Sequence, residues 1–523
     1  MGPMPLISLS TSEAKARWRK EARVAALLLI SCAAFVSVSG QAASAPPPVY
    51  VTLWFDTEDF TSPEPDSIIL PLCRILEERG IRATFKLVGE KARDLERKKQ
   101  TDVIRALERQ DIGFHTTYHS QPPSVTAYED RLDWGEGVSE FIRRERAGFD
   151  DTVRIFRRTP VCYGQPGNSW APQVYAALRQ WGVPLYLDEG IHVGLKGKPF
   201  YYAGLLNVYD MADRSTRMNL EGEADYGKGI EDFRKVHQTL AAEGGGLISI
   251  YYHPNEFDHT EFWDAVIWSH GANPPKGEWK QARKRTPESR EQALRNFGRY
   301  LDFMAGLPGI RFVTGMELVE LYADRLSSRQ FTGEQIRSLA RPLVWAVSFQ
   351  KIDNLYLSPA ECFSLLLRWT LRHSGETSVR AIPGLLGPFR RESAELPARV
   401  ERWEFGKACA DTLEVMTQAG HVPSVVWIGS KPVAPADFLA TLASEVLEET
   451  PGPSLEMRHG VLEVERYAAE DSPRLFDWVI MPEGLRAPHV MDLARLQCWS
   501  LKPAVRDDSA LGTPATSGAR RKK

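Results

Sequence analysis

From Val49 to about Asp324 the chain alternates short apolar runs with amphipathic stretches, and this alternation constrains the fold more than any other feature. The runs Tyr50–Phe55, Ala83–Val88, Ile112–His115, Val161–Tyr163, Val183–Leu187, Leu205–Tyr209, Leu247–Tyr252 and Ile310–Val313 have the length and composition of strands. Between them, Asp66 and Ser67 open a helix that closes at Gly80, and a long helix is predicted from about Gly137 to Arg157. Thr286-Pro287, a cap followed by a first-turn proline, opens another helix ending near Met304. Strands separated by helices pair in parallel. No glycine-rich phosphate loop follows the first strand, so the expected fold is α/β, a full or deformed β/α barrel rather than an open doubly wound sheet. Such barrels gather their chemistry at the C-terminal ends of strands.

Past Asp324 the strand signal fades and helices dominate. This places a boundary near Leu326–Thr332, between a barrel over 46–325 and a smaller, mostly α-helical domain over 326–503. Within the latter, Leu357-Ser358-Pro359-Ala360-Glu361-Cys362-Phe363 and Val433-Ala434-Pro435-Ala436-Asp437-Phe438-Leu439 align at an offset of 76 residues, each with the pattern of a helix start. The end, 504–523, is Ser/Thr/Gly/Pro with basic residues and is expected to be a disordered tail.

Residues 1–45 read as a secretory signal: a basic stretch to Arg23, an apolar run from Val24 to Val38, then Gly40, Ala42, Ala43 and Ala45 before three prolines. The run falls short of the roughly 20 residues that span a bilayer, so no stable transmembrane segment is expected after processing, and the mature chain is expected to be secreted or periplasmic. Leu29-Ile30-Ser31-Cys32 resembles a bacterial lipobox, which makes a lipoprotein anchored through Cys32 the rival reading. Five cysteines follow it, without C-x-x-C spacing, and are expected to pack as buried thiols. The formal charge is −3, and because residues 1–45 and the tail from Arg506 each carry +3, the body between them is near −9. A body that acidic repels phosphate backbones, and no nucleic-acid partner is expected.

Three clusters carry chemistry. Strand one ends in Asp56-Thr57-Glu58-Asp59, acids so crowded that they call for a cation or a paired acid/base role. Strand three ends in His115-Thr116-Thr117-Tyr118-His119, where histidines at i and i+4 on one helical turn can share a zinc-like ion. A later strand ends in His253-Pro254. A barrel would bring all three together.

With Asp56-Thr57-Glu58, Ala83-Thr84-Phe85-Lys86-Leu87-Val88-Gly89, His115 to His119 and His253-Pro254 in this order, residues 49–324 resemble the polysaccharide deacetylase (NodB-homology) family. The resemblance implies a deformed (β/α)7-type barrel and a divalent metal, usually Zn²⁺, held by His115, His119 and Glu58, with Asp59 as the alternative carboxylate. It implies that Asp56 is the base for the attacking water and that His253 is the general acid for the leaving amine. The reaction would be hydrolysis of a non-peptide C–N bond, most simply N-deacetylation of a polysaccharide or peptidoglycan-like glycan. One departure matters: the family's third motif usually carries an arginine that holds the base, and in Tyr163-Gly164-Gln165-Pro166-Gly167 that place is taken by Gly164. The alternative is therefore a non-catalytic carbohydrate or cell-wall binding protein on the same barrel. Asp188, after the fifth strand, is a candidate to orient His253. Tyr163 and Trp170 near the third motif, and Trp263 and Trp268 in an aromatic loop after His253, are the candidate residues for stacking on sugar rings. Gly420-His421-Val422-Pro423-Ser424-Val425-Val426-Trp427-Ile428-Gly429 resembles the pseudomurein-binding repeat of microbial surface proteins, which implies attachment to a wall polymer.

Overall fold

The computed structural model describes residues 46–511 apart from 63, 64, 189, 209–215, 219 and 221. The expected secretory signal with Cys32, and the tail from Gly512, lie outside the described residues. All the predicted strand runs form strands: β1 (Val49–Thr57), β2 (Thr84–Leu87), β3 (Asp111–Phe114), β4 (Cys162–Tyr163), β5 (Leu185–Leu187), β7 (Leu205–Val208), β8 (Gly246–Tyr252) and β9 (Ile310–Val313). Two more join them, β6 (Phe200–Tyr202) and β10 (Lys502–Pro503). Their order is β10-β6-β7-β5-β4-β3-β2-β1-β8, with β9 also on β1. Pairing is parallel from β7 through β8 and antiparallel at β6 and β10. No pairing among the described residues joins β8 to β10, so the α/β barrel is deformed and open.

Strand periodicity sorts the side chains. On β1, Val49, Val51, Leu53 and Phe55 pack outward against helices α1 (Pro65–Glu77) and α3 (Pro287–Ala305), while Tyr50 and Trp54 belong to the interior cluster with Cys162, Leu185 and Leu187. The long helix α2 (Trp134–Phe156) runs where it was expected, and Thr286 caps α3 by accepting from the Ser289 N–H at 3.2 Å.

Beyond Leu326 a second core forms among α4 (Gly333–Leu343), α5 (Pro359–Thr370), α6 (Arg402–Ala419) and α7 (Pro435–Leu447). The 76-residue offset holds here for more than the helix starts. The hairpin Gln350–Ile352/Leu355–Leu357 leads into α5, and the hairpin Val426–Ile428/Lys431–Val433 leads into α7 at the same spacing. The chain then returns to the barrel: Val464, Phe476, Val490, Met491, Cys498 and Leu501 share one core with Trp170, Tyr175, Tyr186 and Tyr202. The described residues from Pro48 onward form one compact unit. Residues 504–511, expected in the disordered tail, lie against the barrel instead: the Ala504 N–H donates to Pro199 O (3.0 Å) and the Asp507 N–H to Leu321 O (2.8 Å). The five described cysteines are buried and unbridged, and burial pushes the Cys73 thiol up to about 12. No helix among the described residues is long and apolar enough to cross a membrane.

Candidate metal centre and active site

Strand alternation also decides which acids of the first cluster matter. Asp56 lies on the interior side of β1 with Trp54, and Glu58 follows in the same phase, whereas Asp59 has the opposite phase. Asp59 forms the turn: its Oδ1 accepts from the Thr61 N–H and Oγ1 (both 2.9 Å) and from the Ser62 N–H (3.1 Å). Glu58 instead joins His115 and His119, with one ligand atom of each within 4.8 Å of the others and all three residues buried.

The hydrogen bonds of this trio fix its tautomers. His115 Nδ1 lies 2.9 Å from Gly164 O, and a carbonyl only accepts, so the proton sits on Nδ1. His119 Nδ1 meets Ser120 Oγ, whose own proton goes to Asp264 Oδ2, so it too carries the proton. Burial holds both imidazoles below the ordinary histidine value, His119 down to about 4, and they are neutral. Two Nε2 lone pairs therefore face each other at 3.1 Å, with Glu58 Oε2 3.5 Å from His115 and closer still to His119. Glu58 Oε1 is buried without a hydrogen-bond partner. Ligand atoms around a tetrahedral ion with bonds of about 2.0–2.1 Å stand roughly 3.3 Å apart. The residues present thus fit a divalent cation, with its imidazoles oriented by a carbonyl and by a serine–carboxylate pair. The two histidines converge through an irregular turn, not the helical turn expected: Thr116 (φ 60) and His119 (φ 56) are left-handed, and Thr116 Oγ1 accepts from the His119 N–H at 3.1 Å.

Asp56 is held by a residue the motif comparison passed over. Lys86, on the interior side of β2, is buried and places Nζ 2.8 Å from Asp56 Oδ1, 2.6 Å from Asp188 Oδ2 and 2.8 Å from Leu187 O. The ammonium also lies 4.1 Å from the Trp54 ring centroid. Two glycines make this possible. A β-carbon on Gly113 would stand 2.7 Å from Lys86 Cγ, and one on Gly164 would stand 2.1 Å from both Lys86 Nζ and Asp188 Oδ2. The space that a side chain at 164 would take is filled by the Lys86 ammonium arriving from β2. Burial raises the pKa of Asp56, but the charges of Lys86 and His253 oppose it and keep the carboxyl below its ordinary value. Asp188, expected on His253, is the second partner of Lys86.

His253, at the end of β8, faces the same centre. Its Nε2 is 3.8 Å from Asp56 Oδ2 and 3.6 Å from Glu58 Oε1, and its Nδ1 is 2.8 Å from Glu256 Oε1, which in turn pairs with Arg217. Burial opposes protonation, yet Glu58, Glu256 and Asp56 raise the pKa of His253 to about 9, while Glu256 is drawn down to about 2.

The proposed stacking residues resolve against that role. Tyr163, Trp170, Trp263 and Trp268 are all at most 1% exposed. Tyr163 packs with Phe114, Phe141 and Tyr186; Trp170 stacks on His192; Trp268 packs among Phe60, Trp263 and Trp279. Trp263 buttresses the site, its ring 5.5 Å from that of His119. Sequence shows aromatic character but not exposure, and here burial took them all. The open surface beside the centre is a cleft of about 880 Å³ that His119 reaches, with Tyr118, Phe60 and Trp279 on its walls and Arg97, Arg144 and Lys276 at its rim. Glu256 had a signal in its i+3 spacing from His253, and Lys86 had one as a charge inside an otherwise uncharged strand. Ser120 and Asp264 had none.

No family model and no curated protein matches the chain. Solved structures resemble it at low identity. A 4-alpha-glucanotransferase from Thermococcus litoralis is 14% identical, with a TM-score of 0.37 over 53% of this chain and 41% of that one. The Xyl-CE4 domain of a multidomain xylanase from the hindgut metagenome of Trinervitermes trinervoides is 13% identical (TM-score 0.28, 52% of this chain and 90% of that one). A family 4 carbohydrate esterase from Streptomyces lividans, in complex with acetate, is 15% identical (TM-score 0.26, 50% and 91%). The chain spans less than half of the glucanotransferase's length. Its own strand order and side chains, rather than these likenesses, define the fold and the site.

Proposed function

We propose that the protein is a divalent-metal-dependent hydrolase of non-peptide C–N bonds that removes an N-acyl group, most simply acetyl, from a glycan. The observation that carries this reading is the pair of histidine lone pairs converging with Glu58 on one point, flanked by an ionised carboxylate and a protonated imidazole. A cation held by Glu58, His115 and His119, zinc by its two-imidazole, one-carboxylate donor set, supplies Lewis acidity toward an amide oxygen and lowers the pKa of water. The chain's own residues handle the protons. Asp56, kept ionised by Lys86, takes the proton of the attacking water. His253, kept charged by Glu256, returns a proton to the departing nitrogen. Without that return an amine is a poor leaving group.

The glycan assignment draws on the cleft, where half-exposed Tyr118 and part-buried Trp279 offer aromatic faces to sugar rings. The same reading includes export through residues 1–45 and attachment of the C-terminal region to a peptidoglycan-like wall polymer, for which the exposed Trp345, Trp403 and Trp427 are candidate contacts. The non-catalytic alternative rests on the missing arginine and on the repeat-bearing C-terminal part; the Lys86–Asp56 pair speaks against the first ground, and turnover decides between the readings. The test is acetate release from acetylated chito-oligomers and peptidoglycan by the purified chain with its metal quantified. A metal-loaded protein that releases nothing from any N-acyl glycan refutes the catalytic reading.

A further inference from the structure

The supports of the three site histidines meet at one residue far away in sequence. Trp478 belongs to the segment that returns to the barrel from the C-terminal region, and it reaches each support differently. It abuts Gly167 so closely that a β-carbon there would stand 2.6 Å from the indole Cδ1 and Cγ, and Gly167 lies in the loop whose Gly164 carbonyl fixes the His115 tautomer. It packs edge-on against Phe262 at 5.8 Å, and Phe262 packs edge-on against His253 at 4.7 Å. It also packs against the buried cluster that contains Trp263, whose ring lies 5.5 Å from that of His119.

The segment is anchored there. The His270 N–H donates to Val479 O (2.8 Å) and the Gly271 N–H to Ile480 O (2.9 Å), and Ile480 and Met481 share one buried cluster with Trp263, Ile267 and Trp268. The aromatic loop after His253, expected to face substrate, is thus the surface on which the C-terminal segment docks.

We propose that Trp478 is a positioning residue of the hydrolytic site, holding the supports of His115, His119 and His253 in register, so that the C-terminal segment is part of the active centre and the barrel alone is not. This rests on the function proposed above. An indole in this place does what outer partners of a metal site do: it removes alternative orientations from the groups that orient the ligands.

The test uses the full chain and two variants, Trp478→Ala and Trp478→Phe, with Zn²⁺ affinity by competition with a chelator, and kcat and KM measured separately. Loss of such a partner weakens metal binding or turnover by roughly ten- to a hundredfold. Trp478→Ala is expected to weaken Zn²⁺ affinity and kcat within that range, with KM changed by less than about threefold, since the indole is not in the cleft. Trp478→Phe keeps a ring against Gly167 and Phe262 and is expected to recover most of both kcat and metal affinity. A folded Trp478→Ala with wild-type Zn²⁺ affinity and kcat overturns the proposal; if that variant does not fold, the same result in Trp478→Leu does so, as does a Trp478→Phe in which neither quantity recovers. Because affinity is read without substrate, failure of the deacetylase reading would leave this comparison decisive.

Discussion

Lys86→Met isolates the element on which proton transfer depends. Lys86 is fully buried and serves two acids, Asp56 at 2.8 Å and Asp188 at 2.6 Å, with a carbonyl as its third acceptor. Removing one member of such a buried ion cluster costs about 3–5 kcal/mol, because the remaining charges keep their desolvation and lose their compensation. The folded chain can relieve this by taking up a proton. At about 1.4 kcal/mol per pKa unit, the cost corresponds to an upward shift of roughly two to four units shared between Asp56 and Asp188. The sign follows from the groups present: Lys86 now lowers the Asp56 pKa against burial, so its loss favours the neutral acid, which cannot act as a base. The variant should bind metal normally and lose activity on the acid side, its acid limb displaced upward by about two units, so that the deficit is largest at low pH and closes as pH rises. Adding Gly164→Arg should restore part of the loss, since removing the ammonium clears the space that a side chain at 164 would occupy. A pH–rate profile on the wild type and both variants settles it. An unshifted acid limb in Lys86→Met would refute the assignment of Lys86 as the holder of the base.

Other consequences concern stability. Glu129 is buried with neither carboxylate oxygen hydrogen-bonded, and burial pushes its pKa up to about 8. An acid whose folded pKa exceeds its unfolded value destabilises the fold as pH rises between the two, so wild-type stability should decline from about pH 4.5 to 8 through this group, and Glu129→Gln should flatten that decline in urea titrations. Phe476 is 1% exposed and packs against His192 within the core shared by the barrel and the C-terminal segment. Phe476→Ala should cost about 3–5 kcal/mol and lower the melting of the barrel itself; a variant that leaves the barrel's melting unchanged would mean that the C-terminal segment is an appendage.

Much of the barrel was legible because its strands are short, apolar and separated by capped helices, a signal that survives without alignment. β6 was missed although Ala203 (φ 46) and Gly204 (φ 81) form a two-residue connection between Phe200–Tyr202 and Leu205–Val208, and Ala-Gly between two apolar runs is a readable hairpin cue. β10, only two residues long, exists because β6 offers it an edge. At the site, Asp56, Glu58, His115, His119 and His253 followed from strand ends. Asp59 could have been set aside by counting the period of two from Asp56. Lys86 and Asp188 form a pair across β2 and β5, and Asp264 and Trp478 act through loops whose positions only the packed structure provides. The aromatic residues failed as substrate contacts for a general reason: a tryptophan near an active site serves the core as readily as the surface, and only exposure separates the two.

The most direct measurement is the metal content of the purified full chain and of four variants, paired with acetate release from an acetylated chito-oligomer. The wild-type chain is expected to hold one divalent cation. His115→Ala, His119→Ala and Glu58→Ala should each lose it, and Asp56→Asn should keep full occupancy without turnover. Full occupancy in both histidine variants at micromolar metal, or wild-type turnover in Asp56→Asn, would contradict a metal-dependent hydrolase built on these residues.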